Sequence, residues 1–213
     1  MNPRGFFLVV EGPDGAGKST LIAGLEARMR KARLDPVLVR EPGGTAVAEA
    51  IRRELLRHDR EWDARAELLY FSTARADLVH HVIRPALAQG KTVISDRFFL
   101  STEAYQTGGR GVPVAEVRAM TGIATGGLVP DLTVVLDVPP VVSEARRKHE
   151  GRSDDRFERE DRDFHARVAA YYAAATGPGI THLDGRLAPE RVLLSTWDEL
   201  RAKDPARFPG RVD

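Results

Sequence analysis

Gly12-Pro-Asp-Gly-Ala-Gly17-Lys18-Ser19 sets glycines, a lysine and a hydroxyl at the spacing G-x-x-x-x-G-K-S/T. That set suits a polyphosphate. Glycine lets the backbone wrap an anion with no Cβ in the way. Loop amides and the start of a following helix aim partial positive charge at it. Lys18 can reach the outer phosphates, and the Ser19 hydroxyl can ligate magnesium. The candidate loop runs from Gly12 and Pro13 through Asp14, Gly15, Ala16 and Gly17 to Lys18, Ser19 and Thr20. A glycine-rich turn can match by chance. Here an apolar run precedes the motif and helical periodicity follows it, which is the context the motif requires. Asp14 stands out, because a carboxylate repels a triphosphate. It either turns away towards an acceptor hydroxyl or a backbone amide, or it is a solvated turn aspartate.

Other charged groups fall at the ends of apolar runs. The run TVISD ends at Asp96 and is followed by Arg97. Asp96 at a strand tip could orient magnesium through water. Arg97 could bring forked donors to the equatorial phosphate oxygens. The plainer reading is a surface ion pair. Arg40-Glu41-Pro42-Gly43-Gly44 reads as a sharp turn. Phe71 and Arg75 are four apart and share a helix face, so a ring and a guanidinium could hold a base. On spacing alone, a core phenylalanine and a solvated arginine explain them as well. Residues 144–167 mix both charge signs, with Arg146, Arg147, Lys148, Arg152 and Arg156 around Gly151. They form either a solvated helix pair laced with ion pairs or a lid that closes arginines over a triphosphate. His80 and His81 lack the H-E-x-x-H pattern of a metal site. Trp62 and Trp197 read as packing groups.

The elements that must position these groups alternate between short apolar runs and helical patterns, as in a parallel sheet with crossover helices. Strands are predicted at 6–11, 36–41, 92–96, 132–138 and 180–184. Helices are predicted at 19–33, 46–57, 64–89, 101–106, 114–123, 139–148 and 189–201, with a glycine-rich turn at 108–111. The proline- and charge-rich tail 204–213 is predicted to fray. The fold class is α/β, a doubly wound five-stranded parallel sheet flanked by helices. In such a sheet ligands bind at the C-terminal ends of the strands.

The whole chain of 213 residues is read as one domain. Its 32 basic and 31 acidic residues leave a net charge of +1, which argues against a nucleic-acid partner. With no cysteine, disulfides, thiolate metal sites and a cysteine nucleophile are excluded. No apolar run reaches the length of a signal sequence or a membrane span. A soluble, cytoplasmic protein with no membrane partner is therefore expected.

Taken in order, these motifs resemble the bacterial type of thymidylate kinase. The set is EGPDGAGKST, REPGGT at 40–45, Phe71 with Arg75, DRF at 96–98, LSTEAYQTGGRG at 100–111, PDLTVVLDV at 130–138 and DRFERE at 155–160. The resemblance implies a P-loop NTPase fold with a helical lid at about 144–160. It implies a magnesium-dependent transfer from ATP to dTMP, usually by a homodimer. Asp14 would contact the acceptor 3′-hydroxyl, Phe71 would stack on thymine, and Arg75 would bond its edge. Arg97 would bridge the two phosphates. Tyr105 would crowd the sugar 2′-position. Gln106, Ser101, Thr102, Arg40, Glu41 and Pro42 would complete the acceptor site.

On the donor side, Arg146 and the loop at Asp184, Arg186 and Leu187 would lie near ATP. Ser19 and Asp96 would serve the metal. One subtype of the family carries an arginine where this chain has Gly15. The other has glycine there and takes its arginines from the lid. This sequence resembles the second, so Arg152 and Arg156 join Lys18, Arg97 and Asp14 as candidate catalytic residues. The alternatives are another small P-loop nucleoside or nucleoside monophosphate kinase, and a non-catalytic nucleotide switch. The chain lacks the N-K-x-D signature of guanine-reading switches.

Overall fold

A computed structural model describes residues 4–150, 156–157 and 159–210, with no side-chain description for 148–150. Five strands form one parallel sheet: β1 (Phe6–Glu11), β2 (Val37–Arg40), β3 (Thr92–Asp96), β4 (Leu132–Asp137) and β5 (Ile180–Asp184). Their spatial order is β2-β3-β1-β4-β5. The predicted doubly wound sheet is therefore the one present, and β1 is its centre. Every residue of β1 is buried, because both sheet faces are covered. Phe6, Leu8 and Val10 face a core with helix α1 (Lys18–Lys31), while Phe7 and Val9 face a core on the opposite side. This is the two-residue alternation of a strand. The sheet runs β2-β3-β1 one way and β1-β4-β5 the other. The loop after β1 thus opens at the switch point, where such folds bind ligands.

Helices α2 (Ala46–Leu55) and α3 (Ala64–Leu78) follow β2. The single helix predicted at 64–89 changes pitch. A π-helical stretch, Val79–Ile83, separates α3 from α4 (Arg84–Ala88). Pro85 explains it: the ring has no N–H to give and crowds the carbonyl four residues back, so the preceding turn widens. After β3, α5 (Phe99–Thr102) passes into a second π-helical stretch, Glu103–Gly109. Gly108 and Gly109, predicted as part of a turn, lie inside it. Helix α6 (Val114–Thr125) precedes β4, and α7 (Pro140–Glu150) follows it.

Helix α8 (Arg162–Ala173) was hidden within the charged segment. Its signals are present. Asp161 caps it by accepting from Phe164 N at 2.6 Å, and Phe164, Val168 and Tyr172 bury one face at four-residue spacing. The last helix is α9 (Pro189–Lys203).

The tail departs from its predicted fraying as far as Gly210. Phe208 is fully buried, its ring 5.0 Å from Phe6 and 5.8 Å from Trp197. Trp197 Nε1 donates to Pro209 O, and Arg207 donates to Gly90 O and Arg4 O. The prolines and charges of the tail concealed one large aromatic anchor. Among the described residues no helix is long and apolar enough to cross a membrane.

Phe208→Ala should therefore destabilise the protein by about 3 kcal/mol, the scale for truncating a buried aromatic. Urea unfolding measures it, and a change below about 1 kcal/mol would show that the tail merely rests on the surface.

Candidate active site

The loop after β1 wraps its own lysine. Lys18 Nζ donates to Gly12 O at 3.1 Å and to Pro13 O at 3.0 Å. Burial lowers the Lys18 pKa to about 8, and the nearby Arg97 charge lowers it too, against the pull of Asp14, Asp96 and Glu11. Gly15 has φ +78°, and a Cβ there would stand 2.7 Å from Ser143 O of α7. Helix α7 is thus packed directly on the loop, and Ser143 Oγ donates to Asp14 O. No side chain of any kind fits at position 15 without displacing α7.

Asp14 is half-buried and is no free turn aspartate. It accepts from Arg97 Nη2 at 2.6 Å and from Tyr105 Oη at 2.8 Å, with Lys18 Nζ at 3.9 Å. Burial works to raise its pKa, but the Arg97 and Lys18 charges outweigh it and hold the carboxyl well below the usual carboxylate range. Arg97 itself adopts φ +75°, rare for a side chain with a Cβ. Its backbone N–H donates to Val10 O at 3.0 Å. Its Nη1 donates to Gly12 O at 3.2 Å, and to Ser101 Oγ and Tyr172 Oη at 2.9 Å each. Arg97 is thus built into the site and is no surface ion pair. Behind it lies Glu11, fully buried, whose pKa burial raises against the Arg97 charge.

Two cavities meet here. One, of about 110 Å³, has Asp14, Arg97, Ser101 and Tyr105 on one side. Glu41, Pro42, Phe71, Arg75, Thr102 and Gln106 are also among its lining residues. The other, of about 140 Å³, is lined by Gly15, Gly17, Lys18, Ser19, Thr20, Arg40 and Asp96. Asp14, Glu41, Arg52 and Arg97 line both. Arg40, predicted for the acceptor pocket, faces the second cavity and pairs with Glu49 through two contacts of 2.9 Å.

Arg75 is far from the solvated group that spacing allowed. It is 2% exposed, and its Nε and Nη2 donate to Glu41 Oε2 at 2.8 and 2.6 Å. Nη2 also donates to Phe98 O and Thr102 Oγ1. Its Nη1 is buried with no hydrogen-bond partner. Glu41 is pushed up in pKa by burial and pulled down by Arg75.

A third cavity, of about 280 Å³, lies against the outer side of the loop. Arg146 of α7 lines it and donates from Nη1 to Gly185 O at 3.0 Å and Gly15 O at 3.3 Å. Leu187 lines it as well, whereas Asp184 and Arg186 pair with each other and border a separate cleft beside Pro139 and Tyr172. Of those three predicted residues, only Leu187 shares a cavity with Arg146.

A family model described as thymidylate kinase matches residues 10–193. Thymidylate kinase of Cereibacter sphaeroides is 45% identical over 201 residues, covering 90% of this chain and 92% of that protein. Thymidylate kinase of Thermomicrobium roseum is 43% identical over 195 residues, covering 90% and 92%. Thymidylate kinase of a Synechococcus strain is 40% identical over 208 residues, covering 96% and 98%. The chain belongs to the thymidylate kinase family.

As a member of that family it departs from the sequence reading at the lid. Arg152 lies outside the described residues, as does the side chain of Lys148. Arg156 is not gathered at the phosphate loop. Its Nη2 is 2.7 Å from Glu67 Oε2, its Nε donates to Leu55 O, and its guanidinium lies over the Phe157 ring. The reason is Glu67, a fully buried carboxylate that also accepts from Gln106 and Arg110 and demands positive charge.

Sequence reasoning missed Glu11, Glu67, Arg52, Phe157 and Tyr172. A glutamate closing a buried strand just before the loop was a legible signal for Glu11. Tyr172 had none, being 75 residues from Arg97.

Gly15→Ala should cost about 1–3 kcal/mol, because the loop must hold a left-handed residue against Ser143 O. Equilibrium unfolding reads this directly, and unchanged stability would mean that α7 yields freely.

Lys18 is charged below a pKa of about 8 and neutral above it. Triphosphate affinity, measured by calorimetry, should therefore fall as pH rises through about 8. Lys18→Arg stays charged throughout and should show no such fall.

Proposed function

We propose that this thymidylate kinase family member transfers the terminal phosphoryl group of ATP to dTMP, forming dTDP on the route to dTTP, with magnesium as the assisting cation. The observation that carries the reading is the shared border of the two cavities. One is rimmed by a phosphate loop and the other by an aromatic ring and an unpaired guanidinium nitrogen, and Asp14 and Arg97 line both. In-line transfer needs two phosphates brought end to end with cations at the point of contact.

In this reading Lys18 and the loop amides hold the donor phosphates, and Arg97 neutralises charge at the junction. Asp14, held ionised by Arg97, accepts from the acceptor 3′-hydroxyl. Phe71 stacks on the base, and Arg75 Nη1 donates to its edge. Tyr105, fixed on Asp14, limits the space at the 2′-position. Arg146 and Leu187 border the adenine. Arg156 supports the acceptor cavity from behind, paired with Glu67 and lying over Phe157, rather than meeting the transferred phosphoryl group.

Magnesium fits the residues present. Asp96 Oδ1 is buried without a hydrogen-bond partner and shares a cavity with the Ser19 hydroxyl. That oxygen set suits a hard cation that keeps waters and phosphate oxygens in its shell. Bound there, it would supply charge stabilisation to the donor phosphates. The proposal includes a homodimer, supported by Leu69 and Ile123, which are 49% and 75% exposed on the neighbouring helices α3 and α6.

A coupled assay with ATP, magnesium and each nucleoside monophosphate tests the reading. dTMP should be the preferred acceptor. Lys18→Ala and Arg97→Ala should each lower turnover by about two orders of magnitude or more. Preference for another monophosphate would reassign the enzyme within its class, and binding without transfer would return it to the nucleotide switches.

A further inference from the structure

Arg97 has an organised layer behind it. Its Nη1 donates to Ser101 Oγ and Tyr172 Oη, each at 2.9 Å. A hydroxyl accepts from a guanidinium only when its own proton points elsewhere. Glu11 determines where. Its Oε2 takes the Ser101 proton at 2.6 Å and lies 3.2 Å from Tyr172 Oη. The two hydroxyls are 2.7 Å apart, so Tyr172 gives its proton to Ser101 or to the carboxylate. In both arrangements the protons point inward and lone pairs face Arg97.

The other carboxylate oxygen, Oε1, accepts from Phe98 N at 2.8 Å and Ser101 N at 3.1 Å. These bonds fix the chain just after Arg97, where the backbone leaves φ +75°. Glu11 and Tyr172 are 0% and 1% exposed, so bulk solvent supplies no substitute acceptor.

We propose that Glu11 is a positioning residue for phosphoryl transfer: its carboxylate directs the Ser101 and Tyr172 protons away from Arg97 and so holds that guanidinium at the border of the two cavities. The rate readout of this proposal rests on the dTMP kinase reading, and its structural readout does not.

Glu11→Gln is the discriminating substitution. Glutamine keeps the shape and can keep the carbonyl bonds to Phe98 and Ser101. Its amide group then points two N–H donors at the hydroxyls. Flipping the amide only turns those donors onto two backbone N–H groups. Either way the pocket holds surplus protons: in the first arrangement one hydroxyl proton is turned onto Arg97, donor against donor, and in the second the amide opposes the Phe98 and Ser101 N–H groups that fix the chain just after Arg97.

The kcat for dTMP should fall by about tenfold to a hundredfold, while the melting temperature shifts by only a few degrees. A crystal structure of Glu11→Gln should show Arg97 Nη1 withdrawn from both hydroxyls. In a Ser101→Ala/Tyr172→Phe background the same substitution should cost less than about threefold, since no hydroxyl proton remains to misdirect.

An unchanged kcat with Arg97 in place overturns the proposal. So does an equal loss in the hydroxyl-free background, which would mark a purely structural carboxylate. Should Glu11→Gln not fold, Tyr172→Phe and Ser101→Ala must each lower kcat, and less than additively together. Full activity in both overturns it. Should the wild type not act on dTMP, the functional reading falls, and the position of Arg97 in the variant crystal structure decides this inference alone.

Discussion

Asp14 and Arg97 are 83 residues apart in the chain and 2.6 Å apart in the fold. The rest of the site depends on that contact. It exists because β1 and β3 pair in parallel with Val10 opposite Asp96, so that both strands end at the same level. Arg97 then donates its backbone N–H to Val10 O and turns its side chain back over the loop. A slip of one residue in that register would send every β3 side chain to the other face of the sheet. Both faces of the sheet are apolar, so the slip is resisted by the fit of particular side chains: Val93 packs in the core with Phe7 and Val9, and Ile94 in the opposite core with Phe6, Leu8 and Val10. Core packing therefore fixes the Asp14–Arg97 distance with no direct contact to it.

Charge is concentrated around this contact at a cost. Glu11, Glu41, Glu67, Lys18 and Arg75 are all buried. An isolated buried charge is expensive, and a paired one roughly breaks even. The pairing here is dense: Glu41 with Arg75, Glu67 with Arg110 and Arg156, Asp14 with Arg97. The return is rigidity. Each guanidinium is held by several acceptors, so its position does not have to be found again for each substrate. There is a second consequence. Lys18 sits among like charge, and Arg97 helps burial to depress its pKa. The cations are thus assembled against their own repulsion, and an incoming polyphosphate relieves it.

Much of this was legible beforehand. The strands were predicted within two residues of their ends, because apolar runs that stop at turn residues admit few other readings. The phosphate loop was legible because its glycines answer to geometry: a Cβ on Gly12 or Gly15 would lie 2.7 Å from a backbone oxygen, and Gly17 holds φ +101°. Reading failed where a residue's meaning depends on a distant partner. On spacing alone Arg75 reads as a solvated group, because the carboxylate that holds it, Glu41, lies 34 residues away in sequence. The resemblance made Arg156 a lid candidate, and nothing in the sequence marked its partner: Glu67, 2.7 Å from it, is an unremarkable glutamate in the first turn of α3. The tail looked frayed because a single phenylalanine among prolines and charges gives no periodic signal.

The stretch Glu103–Gly109 shows why glycines mislead when read alone. Gly108 and Gly109 resemble turn residues, and Gly111, with φ +78°, is one. The other two are there for proximity. A Cβ on Gly109 would lie 2.4 Å from the Phe164 ring, and one on Gly108 would lie 3.1 Å from the Tyr171 side chain. Their absence lets α8 lie against the π-helical stretch. That approach sets Tyr172 beside Arg97 while Tyr105 reaches Asp14 from the other side. A π-helical turn is wider than an α-helical one and costs hydrogen-bond geometry, so it persists where the surroundings require it. Here the requirement is that one element present Tyr105 and Gln106 to the cavity and two bare glycines to α8. A pair of glycines that seems to end a helix is therefore what allows the helix to carry the site.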